Sequence, residues 1–334
     1  MDLDDFLRRE IDLGSFAGAS YAVGTSGGLE REGALGRAVS VPLRIAATTD
    51  TIYDCASITK PLVTGMLVLQ AVAEGTMALD DEYRGFTYRE LLTHTSGLRA
   101  WLPLYAFDDY LDAIEKHGRD APRGQRVIYS DLNFVLLYHV LQEIFGDYVR
   151  VARDRIFALL ALPDAQFNPP PHLKPRIAAT EWGQRFEPVL NQRIGVKVPM
   201  PPHLRQTLMW GETNDGNSFH AGGTCGNAGL FATARDVFRI ARGFVRGELV
   251  PRDLVNEATR AHAEDRGLGW QLAGPSLSPR SFGHMGFTGT SVWIDEDRIM
   301  VLLTNRIHPC AAPIGMQRIR GEFHRLFRES RPSP

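Results

Sequence analysis

Ser57-Ile58-Thr59-Lys60 sets a hydroxyl and an amine three residues apart. On a helix those positions share a face, so Lys60 can lie beside Ser57. A serine hydroxyl is a weak nucleophile until a neighbouring base takes its proton. A lysine can do so when burial or nearby positive charge lowers its pKa. Ser57 at a helix start would also gain from the free N–H groups there, one of which could hold an oxyanion. Alone, the tetrapeptide equally describes a helix capped by Ser57. Its setting favours chemistry: the extended Thr51-Ile52-Tyr53-Asp54 precedes it, and a strongly apolar helix follows.

Two further segments could complete such a site. Tyr129-Ser130-Asp131-Leu132-Asn133-Phe134 puts a phenol just ahead of a helical pattern, where Tyr129 could relay a proton. The plainer reading is that Asp131 caps that helix and Tyr129 packs beneath it. His284-Met285-Gly286-Phe287-Thr288-Gly289 falls on a strand-like stretch late in the chain. A glycine there would let a substrate approach the strand edge, although a lone strand histidine is more often structural.

Taken together and in this order, the segments resemble the serine β-lactamases and penicillin-recognising enzymes. The resemblance is closest to class C β-lactamases and family VIII carboxylesterases. It is carried by Tyr53–Pro61, Leu91-Leu92-Thr93-His94-Thr95-Ser96-Gly97-Leu98, Tyr129-Ser130-Asp131, Ala228-Gly229-Leu230-Phe231-Ala232-Thr233-Ala234 and Gly283-His284-Met285-Gly286. It runs from about residue 17 to 305 and is weakest over 182–208. It implies Ser57 as acylated nucleophile, Lys60 as its base or proton partner, and Tyr129 as a second base that also serves the leaving group. It further implies an oxyanion hole from the Ser57 and Phe287 N–H groups, with Asp131, His284, Gly286 and Phe287 facing the substrate. Two residues depart from the pattern. Asp131 stands where class C enzymes usually have Asn, and a carboxylate beside Lys60 favours the ammonium form. His284 replaces the usual Lys and removes a fixed charge that suits carboxylate-bearing substrates. Both point from penicillins toward neutral esters with short acyl chains.

The positioning elements follow from periodicity. Residues 2–10 form an amphipathic helical pattern. Strand-like stretches at 17–24 and 29–43 flank a hairpin turn at Ser26-Gly27-Gly28. Helical spacing runs over 57–75, 88–93, 132–145, 148–162, 234–245 and 318–328, and strands are expected at 269–273, 281–286, 291–295 and 299–305. Residues 169–223, rich in Pro and Gly, read as long surface loops with a lid among them. The implied fold is an α/β (α+β) β-lactamase/transpeptidase-like architecture: an antiparallel sheet flanked by helices with an inserted all-helical lobe. Residues 1–60 and 221–334 would form the sheet domain and 61–220 the helical lobe.

Other patterns carry less. Gly24-Thr25-Ser26-Gly27-Gly28 matches a G-x-S-x-G elbow, but that elbow needs a strand and then a helix, and strand-like sequence follows Ser26. The glycine-rich 222–229 loop lacks the lysine of a phosphate-binding loop. His94 is expected to bond a backbone group near Ser96, and His220 is a lesser pocket candidate. The three cysteines, Cys55, Cys225 and Cys310, show no metal spacing or disulfide framework. No metal or cofactor is expected. With 334 residues, 44% hydrophobic, and a formal charge of -2, nothing favours nucleic acid. The acidic start and the lack of an evident 18-residue apolar run read as no export signal and no membrane span, hence a cytoplasmic location. The expected partner is a small ester or amide, with a homo-oligomer left open. The rivals are a D-amino-acid peptidase or amidase, a weak β-lactamase, and a non-catalytic scaffold of the same fold.

Overall fold

The computed structural model describes residues 2–193, 204–310 and 315–330. Its strands are β1 (Gly18–Thr25), β2 (Gly28–Val39), β3 (Ile45–Ala46), β4 (Tyr53–Asp54), β5 (Glu82–Tyr83), β6 (Phe86–Thr87), β7 (Phe231–Ala232), β8 (Gln271–Leu272), β9 (Phe282–Met285), β10 (Ser291–Asp295) and β11 (Arg298–Thr304). Seven of them form one sheet in the order β3-β2-β1-β11-β10-β9-β8, and every neighbouring pair is antiparallel. Both ends of the chain therefore build the same sheet, joined where Ala22 faces Val301.

Alternation along the strands assigns the two faces. Ala22, Val292, Ile294, Ile299, Val301 and Leu303 point into the main core. There they meet the Ala234–Arg246 helix through Val237, Phe238, Ala241 and Phe244. Tyr21, Val23, Trp293, Met300 and Leu302 point the other way, onto the Leu3–Asp12 and Met316–Glu329 helices. The Ala234–Arg246 helix is well delimited: Thr233 and Asp236 form a reciprocal cap, and Gly247 ends it at φ 74°.

The helices behind the site are Lys60–Gly65, continued by Met66–Ala73, and Asp131–Phe145, continued by the shorter Tyr148–Ala152. The 57–75 pattern is not one regular helix. A tight turn over Ala56–Ile58 leads into a widened helical segment over Lys60–Gly65, where Pro61 offers no N–H. Expected helix 148–162 ends its helical course at Phe157.

Three expectations need correction. The run Ala56–Ala73 does have the length and apolar composition of a membrane span, but 83% of it is buried inside the fold. It is a core helix here, and its hydropathy reflects burial on all sides. The stretch 169–223 is not loop throughout: it contains helical segments at Pro171–Arg176, Phe186–Arg193 and Gly216–His220. Residues 194–203, part of the expected lid region, lie outside the described residues. Helices Tyr110–His117 and Arg252–Thr259 were not expected; each is only 8 residues long, about two turns, too short for the helical period to stand out from its surroundings.

Candidate active site

Ser57 sits on a turn fixed from three sides. Asp54 leaves β4 and turns back its carboxylate: Oδ1 accepts from the Ala56 N–H at 2.9 Å, and Oδ2 accepts from the Asn214 N–H at 2.6 Å. Ala56 is held at φ 47°, a left-handed conformation that a residue with a Cβ rarely adopts. The Cys55 N–H donates to Leu230 O, and the Leu230 N–H donates to Thr59 Oγ1. From the sheet side, Thr288 Oγ1 and Thr290 Oγ1 donate to Asp54 O and Cys55 O, each at 2.8 Å. Gly286 has no room for a side chain: a Cβ would lie 2.1 Å from Thr290 Oγ1 and 2.7 Å from Cys55 O. The end of β9 thus packs directly on the turn that carries Ser57.

Lys60 is fully buried, and its Nζ lies at a junction. It donates to Ser57 Oγ at 3.0 Å and to Asn227 O at 2.9 Å, and pairs with Asp131 Oδ1 at 2.7 Å. The rings of Tyr129 and Phe134 stand 5.2 and 5.7 Å from it. Burial works against the ammonium, but Asp131 and the Tyr129 phenol more than offset it and hold Lys60 above its usual range. Lys60 therefore rests as the ammonium; burial pushes its partner Asp131 up, and Lys60 counters that. The Tyr129 hydroxyl is close enough to Lys60 and Ser57 to feel both; burial raises its pKa, and Lys60 partly counters that.

Asp131 does not cap its helix. Ser130 occupies the cap position, and the Asp131 carboxylate reaches Lys60 instead. His94 also differs from expectation. Its Nδ1 accepts from the Ser130 N–H at 3.0 Å and lies 3.1 Å from Asn133 Nδ2, and its ring packs 4.7 Å from Tyr129. It supports the Tyr129–Asp131 loop rather than the backbone near Ser96; Ser96 donates to Asn133 Oδ1 instead.

His284 lies on β9 opposite Val292, with Nδ1 2.9 Å from Met285 O and Nε2 buried without a partner. Burial, with Lys60 and Arg266 nearby, holds its pKa well below 6.5, so it is neutral at pH 7. Ser57, Tyr129, Asp131, His284 and Phe287 all line one cavity of about 390 Å³. Lys60 lies beneath it, and Gly286 behind.

The sequence reading singled out no individual residue of the opposite wall. Glu181, Gln184, Phe186, Glu187, Leu190, Asn214 and Asp215 line it, while Trp101, Arg266 and Gln271 complete the rim. Phe186 packs 4.7 Å from Phe287, ring to ring, and so joins this wall to the strand edge. Glu187 is buried and accepts from Tyr105 Oη (2.6 Å), Gln184 Nε2 and the Gly216 N–H (2.7 Å). Burial, then Asp215, pushes its carboxyl up to about 7. A charged residue in a Pro- and Gly-rich stretch reads as solvated, so no local signal marks these acids. Other candidates lie elsewhere: Ser26 is in the β1–β2 turn, Cys225 is buried beside Ser218 and Asn227, and His220 stacks on Tyr105 without lining the cavity. Among the described residues no group of three or more His, Cys, Asp or Glu side chains is placed to hold a metal.

The family model described as Beta-lactamase matches residues 3–319, and the chain belongs to that family. It is 30% identical over 322 residues to an Escherichia coli (strain K12) protein provisionally named a D-alanyl-D-alanine carboxypeptidase, covering 80% of this chain and 72% of that one. In three dimensions it is similar to the D-amino acid amidase of Ochrobactrum anthropi SV3 (TM-score 0.75, 18% identity, 98% and 97% of the two chains). It is also similar to the simvastatin synthase of Aspergillus terreus (TM-score 0.74, 18% identity, 99% and 98%). The fold is β-lactamase/transpeptidase-like, and membership of the family marks the chain as a serine hydrolase of the β-lactamase and penicillin-binding-protein superfamily.

Proposed function

We propose that this chain hydrolyses carboxylic esters with short acyl chains through an acyl-enzyme on Ser57. The observation that carries the reading is the contact of Lys60 Nζ with Ser57 Oγ at 3.0 Å beneath an open cavity. In the proposed cycle Ser57 Oγ bonds to the ester carbonyl carbon. Lys60 passes a proton to Asp131 and takes the one from Ser57. The Tyr129 phenol protonates the departing alcohol; the phenolate then takes a proton from the attacking water, and Lys60 returns one to Ser57 Oγ as the acid is released and recovers its own from Asp131. The Ser57 and Phe287 amides are assigned to the developing oxyanion. Substrate charge favours esters: His284 is neutral, and Asp131, Glu181, Glu187 and Asp215 face the cavity. Such walls disfavour the carboxylate that a penicillin carries.

A second reading, cleavage of D-amino-acid peptides or amides, is favoured by Arg266. Its guanidinium lines the cavity 5.7 Å from the Tyr129 ring, on the side assigned to the leaving group, where it would hold a carboxylate. The names of the carboxypeptidase and the amidase it is similar to point the same way.

The test compares p-nitrophenyl acetate and butyrate, a chromogenic cephalosporin and a D-alanyl-D-alanine peptide, with wild type and Ser57→Ala. Ester turnover that vanishes in Ser57→Ala, with little cephalosporin or peptide cleavage, is expected. Dominant peptide cleavage would select the second reading. Absence of any Ser57-dependent turnover, and of labelling by a serine-directed phosphonate, would reject both.

A further inference from the structure

Behind the strand edge assigned to the oxyanion lies a buried cation that the proposed chemistry does not use. Arg320 extends from the Met316–Glu329 helix and is 6% exposed. One of its terminal nitrogens, Nη2, donates to Gly286 O at 3.2 Å and to Thr290 O at 3.0 Å. Its Nε has no hydrogen-bond partner, and no carboxylate pairs with it among the described residues. A guanidinium taken out of water without an acid beside it is costly, so a protein that retains one needs a compensating use.

The two carbonyls it holds close the turn that presents Phe287. The Gly286 N–H donates to Thr290 O, and the Gly289 N–H to Gly286 O. Next to it, Arg306 Nε donates to Phe287 O at 2.7 Å. The carbonyls on both sides of the Phe287 amide are thus drawn backward by guanidinium groups, which fixes the planes of the adjoining peptides. The same turn is tied through Thr288 and Thr290 to the backbone of Asp54 and Cys55. A rotation of the 286–287 peptide would break the Arg320 bond to Gly286 O and move the Phe287 N–H relative to Ser57.

We infer that Arg320 is a positioning residue for oxyanion stabilisation: it orients the Gly286–Thr290 turn and directs positive potential toward the Phe287 amide. The inference rests on the acyl-enzyme reading above. Burial, then Arg306, brings its pKa down to about 9, which leaves the guanidinium charged at neutral pH. Preorganised positive potential acts on charge that develops in the transition state and little on a neutral ground-state ester.

Arg320→Met and Arg320→Lys test this with p-nitrophenyl butyrate and with phenylboronic acid, which forms a tetrahedral adduct on a serine oxygen. In Arg320→Met kcat should fall by about 10- to 100-fold, phenylboronic acid should weaken in parallel, and KM should stay within roughly threefold. Arg320→Lys keeps the charge without the paired geometry and should fall between the two. Wild-type kcat and boronate affinity in folded Arg320→Met would overturn the inference. So would a loss of kcat with unchanged boronate affinity, or equal losses in KM and kcat. If Arg320→Met does not fold, Arg320→Lys decides on the same pair of readouts: parallel loss of kcat and boronate affinity supports the role, and wild-type values overturn it. Wild-type protein that neither cleaves the ester nor binds the boronate would remove the reading of Ser57, and this role with it.

Discussion

Lys60 Nζ is shared between Ser57 Oγ at 3.0 Å and Asp131 Oδ1 at 2.7 Å, so the acid and the nucleophile compete for one buried amine. Asp131 stabilises the ammonium, which raises the pKa of Lys60 against the opposing effect of burial. In Asp131→Asn that support is lost, and burial is opposed by the Tyr129 phenol alone. With no carboxylate to take its proton, Lys60 must already be neutral to act, so kcat/KM of Asp131→Asn should rise with pH, by about tenfold per unit, along a limb set by the Lys60 amine, where wild type, acting from the ion pair, stays level. The measurement is a kcat/KM profile from pH 5 to 10 for both proteins. Superimposable profiles would show that Lys60 does not control the limb.

Asp54 is expected to matter for stability and for turnover at once. Asp54→Ala strips the Ala56 and Asn214 N–H groups of their acceptor, costing about 1–3 kcal/mol for each. It also releases the turn that holds Ala56 at φ 47°, so kcat should drop with stability. The pH dependence has a definite sign. Burial raises the Asp54 carboxyl from 3.8 to about 6, so the folded state binds its proton more tightly than the unfolded one. The stability contributed by Asp54 therefore declines as pH rises from about 4 to about 6 and is level above. Denaturant titrations at pH 4, 5, 6 and 7 should show the gap between wild type and Asp54→Ala narrowing across that window, by a few kcal/mol at most. A gap that widens with pH would contradict the assignment.

Much of this arrangement was legible in the sequence because it rests on local spacing. Ser57 and Lys60 meet because they are three residues apart on a tight turn, and β10 and β11 announce themselves by short apolar runs, Val292-Trp293-Ile294 and Ile299–Leu303. The cavity also receives Tyr129, Asp131, His284 and Phe287 from segments that were singled out by type and setting. What was not legible depends on contacts between distant segments. Glu187 becomes a buried wall residue only because Tyr105, Gln184 and Gly216 converge on it. His94 appears tied to Ser96 in sequence, yet its ring nitrogen serves Ser130, 36 residues on. The membrane-like hydropathy of Ala56–Ala73 shows the same limit: periodicity cannot distinguish burial in protein from burial in lipid.

Gly286→Ala probes the packing of β9 on the nucleophile turn. The added Cβ would meet Cys55 O at 2.7 Å, and a backbone atom there cannot step aside as a flexible side chain would. Overpacking of this kind costs about 1–3 kcal/mol. Because relief requires β9 to move away from the Ser57 turn, kcat should fall while the secondary structure is retained. Circular dichroism, thermal unfolding and ester kinetics together check it. A variant with wild-type kcat would mean that the register of β9 against this turn is not needed for turnover.

The acidic wall should discriminate against anionic acyl groups. Asp131, Glu181, Glu187 and Asp215 line the cavity against one guanidinium from Arg266. The mono-p-nitrophenyl ester of adipic acid ends in a carboxylate, whereas the hexanoate ester of equal length ends in a methyl group. The hexanoate should be favoured in kcat/KM by roughly tenfold at pH 8, the equivalent of about 1.4 kcal/mol of charge repulsion. Glu187 titrates near 7, so as pH falls below that value its charge is lost and the discrimination should shrink. Glu187→Gln removes the charge at every pH and should reduce the ratio at pH 8 to the wild-type value found near pH 6. Kinetics with the two esters at pH 6, 7 and 8, in low and high salt, separate this effect from acyl shape, since only charge repulsion weakens with salt. A ratio unaffected by pH, by salt and by Glu187→Gln would place the acyl group away from this wall, on the Arg266 side of the cavity.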